Sequence, residues 1–189
     1  MNVARRYTWA DVERLPHVEG TRYEIIAGEL HVASQPSLEH QYACTGVIIA
    51  VEGWSRRTGL GVTVQAPGVI FPDGDGVAPD VVWISHARLA ALKDAAGHLL
   101  GAPELVVEVL SPGASNVRRD REEKLGLFSR WGVDEYWIVD WRAQRVDVFR
   151  READALRRVA TLGSADALTS PLLPGFTCSV ATLWLPALT

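Results

Sequence analysis

The sequence predicts an α/β domain, a mixed α+β sheet flanked by helices. Three observations carry that expectation. Short apolar strands alternate with helical stretches along the chain, the pattern of a layered fold around one core. One strand, Glu104 to Leu110, is apolar on both faces, as a strand in the middle of a sheet must be. The stretch after it, Asn116 to Trp131, repeats its apolar residues at helical spacing.

Each element has a local reason. Thr8 caps a short helix from Trp9 to Leu15, with Asp11 in its first turn and Pro16 as its stop. Arg22 to Ile26 and Glu29 to Ala33 flank Ala27-Gly28, the pattern of a tight hairpin. Ser37 starts a helix that runs to about Arg57 and is closed by Thr58-Gly59. Strands follow at Gly61 to Gln65 and Gly68 to Phe71. The loop Pro72-Asp73-Gly74-Asp75-Gly76 leads into a strand from Asp80 to Ser85, and His86 to Asp94 reads as a short helix. After the long helix, Glu135 to Asp140 and Arg145 to Arg150 form a hairpin around Arg142-Ala143-Gln144. A further short strand or two and a Pro-containing tail complete the chain. With no repeat, low-complexity tract or long linker, residues 1–189 read as a single domain.

Composition narrows the function. At 48% hydrophobic residues the chain can bury a core, which disfavours disorder. Its apolar runs fall far short of the roughly 20 residues of a spanning helix, and Met1 to Glu13 lacks the apolar centre of a secretory signal. A cytoplasmic protein is therefore expected. Cys44 and Cys178 stand apart with no CxxC spacing and read as ordinary core or surface thiols. The formal charge of -4 argues mildly against a tight nucleic-acid binder, because phosphate contacts need Lys and Arg. Charge can nevertheless be local. Arg118, Arg119, Arg121 and Lys124 cluster; the later group, Arg142, Arg145, Arg150, Arg151, Arg157 and Arg158, reads as a solvated face. HExxH, GxSxG, Walker A and a GxGxxG after a strand are all absent from the sequence, and five His without ligand spacing give no expectation of zinc.

Two residues break the pattern around them. In Leu105-Val106-Val107-Glu108-Val109-Leu110, alternation puts Glu108 on a face with Val106 and Leu110. An ionised carboxylate there costs several kcal/mol unless it is paired or holds a metal. In the following helix, Val117, Lys124, Phe128 and Trp131 project into one narrow sector. Asp120 and Leu127 border it, and Arg118, Arg119, Glu122, Glu123, Gly126 and Arg130 lie opposite. A core-facing stripe with Lys at its centre needs a partner, and the short link Ser111 to Ser115 brings helix and strand together. A purely structural Glu108–Lys124 or Asp120–Lys124 ion pair satisfies these facts. Asp80, where a loop meets the apolar strand Val81 to Ile84, adds a second carboxylate on a neighbouring strand. Two hard oxygen ligands and a cation are what metal-assisted phosphoryl chemistry requires.

At these residues the sequence resembles the Uma-type restriction-endonuclease family of the PD-(D/E)XK nuclease superfamily. The resemblance is carried by Asp80 in Ala78-Pro79-Asp80, Glu108 in Pro103 to Pro112, and Lys124 in Arg119 to Lys124. It extends through Tyr23 to Leu30, Pro36 to Gln41 and Asp134 to Asp140, covering roughly Tyr7 to Phe176. It implies a restriction-endonuclease-like fold and a nuclease acting on nucleic acid, DNA first, as a homodimer. The Tyr136–Val148 hairpin is a candidate dimer interface. The implied roles are Asp80 and Glu108 as ligands of Mg²⁺ (alternatively Mn²⁺), with the Val109 carbonyl as a further oxygen. Lys124 would orient the attacking water or stabilise the transition state, and Glu24 would be an auxiliary acid. The sequence departs from the superfamily pattern in one place: Leu110 stands two residues after Glu108, where the motif has Lys, so the Lys is carried by the next helix.

Apart from the resemblance, Glu24 reads as a solvent-facing strand residue. His40 could reach the site or a phosphate, but a neutral surface or partly packed His is the commoner fate. Asp73 and Asp75 lack Ca²⁺-loop spacing and read as a turn. The scattered tryptophans read as core or edge residues. Two rivals to a nuclease remain: a nuclease-fold protein that binds nucleic acid or a protein partner without cutting, and a paired-carboxylate glycosidase built on Asp80 and Glu108. The second leaves Lys124 without a task.

Overall fold

The computed structural model describes residues 6–16, 18, 20–33 and 35–186. The first five residues of the N-terminal stretch and the last three of the tail lie outside the described residues.

Helix α1 (Trp9–Val12) stops earlier than the sequence suggests, three residues short of Leu15, but it starts at the expected cap. The hairpin of β1 (Arg22–Ile26) and β2 (Glu29–Ala33) has the expected bounds. Its two turn residues, Ala27 and Gly28, both have positive φ, which suits the right-handed twist of paired strands. The Asp75 carboxylate locks that turn, accepting from Ala27 N at 2.8 Å and Gly28 N at 2.9 Å. Helix α2 (Leu38–Thr58) begins at the Ser37 cap and ends at Gly59 in the left-handed region, as the sequence indicates.

Six strands form the main sheet, in the order β10-β9-β8-β7-β6-β3. These are β3 (Gly61–Gln65), β6 (Val81–Ser85), β7 (Leu105–Val109), β8 (Glu135–Asp140), β9 (Arg145–Glu152) and β10 (Ala155–Gly163). All neighbours are antiparallel except β7 and β8. The parallel pair is bridged by the long helical segment, the crossover that a parallel pair demands. A smaller sheet, β2-β1-β5-β4, adds β4 (Val69–Ile70) and β5 (Gly76–Val77), while α3 (His86–Leu92) follows β6. Strands β11 (Ala167–Thr169) and β12 (Thr177–Ser179) pair near the C-terminal end.

Alternation along the strands sorts the core into two layers. Leu105, Val107, Val109, Trp137 and Val139 meet Val47, Val51 and Trp54 of α2. Val106, Leu110, Tyr136 and Ile138 meet Leu127 and Phe128 from the helix on the other side. Glu108 belongs by alternation to this second layer.

Two expectations are corrected. The helix expected over Asn116 to Trp131 is α4 (Ala114–Arg118), a wide π turn (Arg119–Glu123) and α5 (Lys124–Trp131). A π turn inserts an extra residue and rotates the helical turns beyond it, so Arg119, on the outward side of an ideal wheel, turns inward. The region after β9 carries the nine-residue β10, longer than any strand before it, because its outward polar side chains hide the alternation. In the Tyr136–Val148 hairpin, Tyr136, Trp137 and Val148 are buried and β9 pairs along its edge with β10, while the turn residues Arg142, Ala143, Gln144 and Arg145 are exposed.

Candidate active site

The β6–β7 ladder sets Val81 against Val107, and continuing that register by one residue sets Asp80 opposite Glu108. Both lie on the side of the sheet facing the helix. Lys124, at the first position of α5 and 1% exposed, reaches down to them. Its Nζ lies 2.7 Å from Glu108 Oε1, 2.9 Å from Glu24 Oε1 and 3.9 Å from Asp120 Oδ1. All four sequence-derived site residues, Asp80, Glu108, Lys124 and Glu24, therefore line one cleft of about 290 Å³, together with Val109.

Glu24 is not solvent-facing; it is 2% exposed. Both faces of β1 are covered, and the Glu24 carboxylate also accepts from Ala78 N at 3.0 Å. His40 is not at the surface either. The first turn of α2 aims its Nε2 at Asp80 Oδ2, 3.2 Å away. Arg22 closes the other side of Asp80, with its Nη1 3.1 Å from Oδ1, and Val109 N donates to Oδ2 at 2.9 Å. Because of the π turn, Arg119 lies 3.1 Å from Asp120 and 3.9 Å from Glu24. Tyr136 donates from its hydroxyl to the Asp120 carbonyl at 2.9 Å, which pins that turn to the sheet.

The charges do not balance: Glu24, Asp80, Glu108 and Asp120 face Arg22, Arg119 and Lys124, with His40 beside them. Burial alone would raise the Asp80 carboxyl. The hydrogen bond and charge of His40, the Lys124 charge and the Val109 N–H bring it down to about 2. Burial would likewise raise Glu24, but Lys124, Ala78 N–H and Arg119 outweigh it and hold the group low. Glu108 goes the other way. Burial pushes it well above the usual range, Lys124 opposes this, and Asp80, Asp120 and Glu24 reinforce it. Asp120 is raised by burial against the pull of Lys124 and Arg119. Lys124 is held cationic: burial works against its charge, and Glu108, Glu24 and Asp120 overcome it.

An excess of buried negative charge fits a divalent cation. Asp80 and Glu108 supply hard oxygens from adjacent strand positions, the donor type Mg²⁺ and Mn²⁺ take. The sequence gives no expectation of Arg22 or Arg119 in the cleft, and of His40 only that it could reach the site. Only the position of His40, three residues into a capped helix, offered a signal for its part.

Comparison with known proteins finds a family and a similar fold. The model of the Uma2 family, described as "Putative restriction endonuclease", matches residues 9–181. The fold is similar to a crystal structure described as a "putative nuclease belonging to DUF820" from Anabaena variabilis ATCC 29413. The TM-score is 0.75 at 17% identity, covering 93% of this chain and 96% of that one, a likeness of fold. No curated protein matches the chain by sequence. Since the family match runs through every strand and helix that contributes to the cleft, the chain belongs to the Uma2 family of "Putative restriction endonuclease" proteins.

Proposed function

We propose that this protein is a metal-dependent endonuclease that hydrolyses phosphodiester bonds in DNA, with Mg²⁺ or Mn²⁺ held by Asp80 and Glu108. The observation that carries the reading is the convergence of Asp80, Glu108 and Lys124 on one cleft whose carboxylates outnumber its cations. A bound divalent metal would lower the pKa of a coordinated water and neutralise charge on the phosphate. Lys124 keeps its proton and donates toward negative charge developing beside Glu108. Glu24 and Asp120 hold the ammonium in place, and His40, Arg22 and Val109 N–H keep Asp80 ionised and oriented. Arg22 and Arg119 line the same cleft and supply guanidinium groups to a phosphodiester. Nucleic acid is the partner this chemistry implies. Among the described residues no helix is long and apolar enough to cross a membrane.

The test is cleavage of plasmid DNA with Mg²⁺ or Mn²⁺ by the wild type, Asp80→Asn and Glu108→Gln, with metal binding followed by calorimetry. Both variants should lose cleavage while melting as folded proteins, and Glu108→Gln should lose metal binding. Equal cleavage by all three proteins refutes the assignment. One observation favours a second reading, a nuclease-fold protein that binds nucleic acid without cutting: Lys124 is fully enclosed by carboxylates. That reading predicts DNA binding that persists in EDTA and no product with either metal.

A further inference from the structure

At the edge of the cleft a second donor set comes together, of which the phosphodiester reading uses Asp80 as a ligand and His40 as its partner but leaves Cys44 without a part. His40 and Cys44 stand four residues apart on α2, hence one above the other on one face. Asp80 enters from the start of β6. All three are buried, at 4%, 1% and 6% exposure. One ligand atom from each residue lies within 4.8 Å of the other two. The Cys44 sulfur contacts His40 Nδ1 at 3.6 Å, and His40 Nε2 lies 3.2 Å from Asp80 Oδ2.

We infer that His40, Cys44 and Asp80 form a three-ligand site for a borderline-soft divalent transition metal of the Zn²⁺ or Co²⁺ class. The argument is one of donor chemistry and spacing. Thiolate and imidazole select such metals over Mg²⁺ and Ca²⁺, which prefer all-oxygen sets. In a tetrahedral site with metal–ligand bonds of about 2.0–2.3 Å, ligand atoms sit roughly 3.3–3.6 Å apart. The observed triangle needs a contraction of about an ångström and a turn of the imidazole to present one nitrogen to the centre, movements within reach of side chains alone. The fourth position would face the cleft, which His40 and Asp80 line. The site is distinct from the Asp80–Glu108 oxygen pair, although it shares Asp80. A metal bound here would draw Asp80 away from that pair.

The experiment is a Co²⁺ titration of the purified full chain under reducing conditions, read in the near-ultraviolet for thiolate-to-cobalt charge transfer. The wild type should develop this band with one equivalent of Co²⁺, and Zn²⁺ should abolish it by displacement. Cys178→Ser and Glu108→Gln should keep the band. Cys44→Ser should lose it while retaining the wild-type circular dichroism and melting temperature, and His40→Gln should weaken binding by tenfold or more. Absence of the band from the wild type at millimolar Co²⁺ overturns the inference, as does a band that survives Cys44→Ser. Because the band reports sulfur ligation and not cleavage, a protein that shows it but cuts no DNA would sink the nuclease reading and leave this one standing.

Discussion

Glu108 and Asp147 are two buried carboxylates on the same face of the same sheet, yet their surroundings push them in opposite directions. Cross-strand register puts Glu108 opposite Ile138 and Ile138 opposite Asp147, so the two acids belong to one row. The same helical segment answers both. Arg121 Nη1 reaches Asp147 Oδ2 at 2.7 Å, and Lys124, one turn on, reaches Glu108 at 2.7 Å. Burial would raise Asp147, but hydrogen bonds from Thr161 Oγ1 (2.5 Å) and Arg121 bring it below the usual carboxylate range. Glu108 is held high, because burial and three neighbouring carboxylates exceed what Lys124 returns. A satisfied ion pair is what a fold needs at such a place. An acid kept short of cations is what a cation-binding site needs, and the contrast supports the proposal that Glu108 belongs to such a site while Asp147 holds the sheet together.

The comparison can be broken most forcefully at Lys124. Lys124→Met leaves Glu108, Glu24 and Asp120 buried without their shared cation and should cost about 3–5 kcal/mol, measured by urea denaturation in EDTA. A loss well under 1 kcal/mol would mean that the cluster is not held together by this ammonium.

Asp147→Asn should cost about 1–3 kcal/mol at neutral pH, since Arg121 and Thr161 lose a charged acceptor. Its folded-state pKa is lowered, so its contribution is present above the ordinary carboxylate pKa and lost as pH falls. The variant and the wild type should therefore converge in acid. A deficit that persists undiminished at low pH would assign the loss to packing.

Glu108→Gln has the opposite sign. A raised acid contributes fully below its ordinary pKa, and that contribution is lost as pH rises through the elevated value. In metal-free buffer near neutrality the Gln variant should be as stable as the wild type or more so, and the difference should fade in acid. Marked destabilisation at neutral pH would show that Glu108 is a structural partner of the Asp147 kind.

The smallest effect is expected at Thr161→Val, which removes one hydrogen bond to Asp147 and should cost about 1 kcal/mol. Cleavage should be unchanged, and its loss would tie the two acids together more closely than the row of side chains suggests.

Where local physics decides, the sequence was legible. The β1–β2 hairpin and the long helix α2 appear with nearly the expected bounds, because turn residues and caps act within a few positions. Glu108 and Lys124 stood out because a charge in an apolar pattern must be answered, and they answer one another. Arg119 was misplaced because a helical wheel assumes an uninterrupted α-helix, and the π turn breaks that assumption. β10 was underestimated because one side of an edge strand can be polar throughout.

The alternation of strands and helices, the buried charges on β7 and the following helix, and the family are all legible in the amino-acid order. These are properties of short windows, where the spacing of a few side chains sets the free energy. Tertiary packing is what buries Glu24, sets His40 and Arg22 against Asp80, places Cys44 behind that histidine, and gives Asp147 the Arg121 guanidinium while Glu108 shares Lys124 with Glu24 and Asp120. Those outcomes depend on which chain segments, tens of residues apart, exclude water from one another, and a charge takes its pKa from that company.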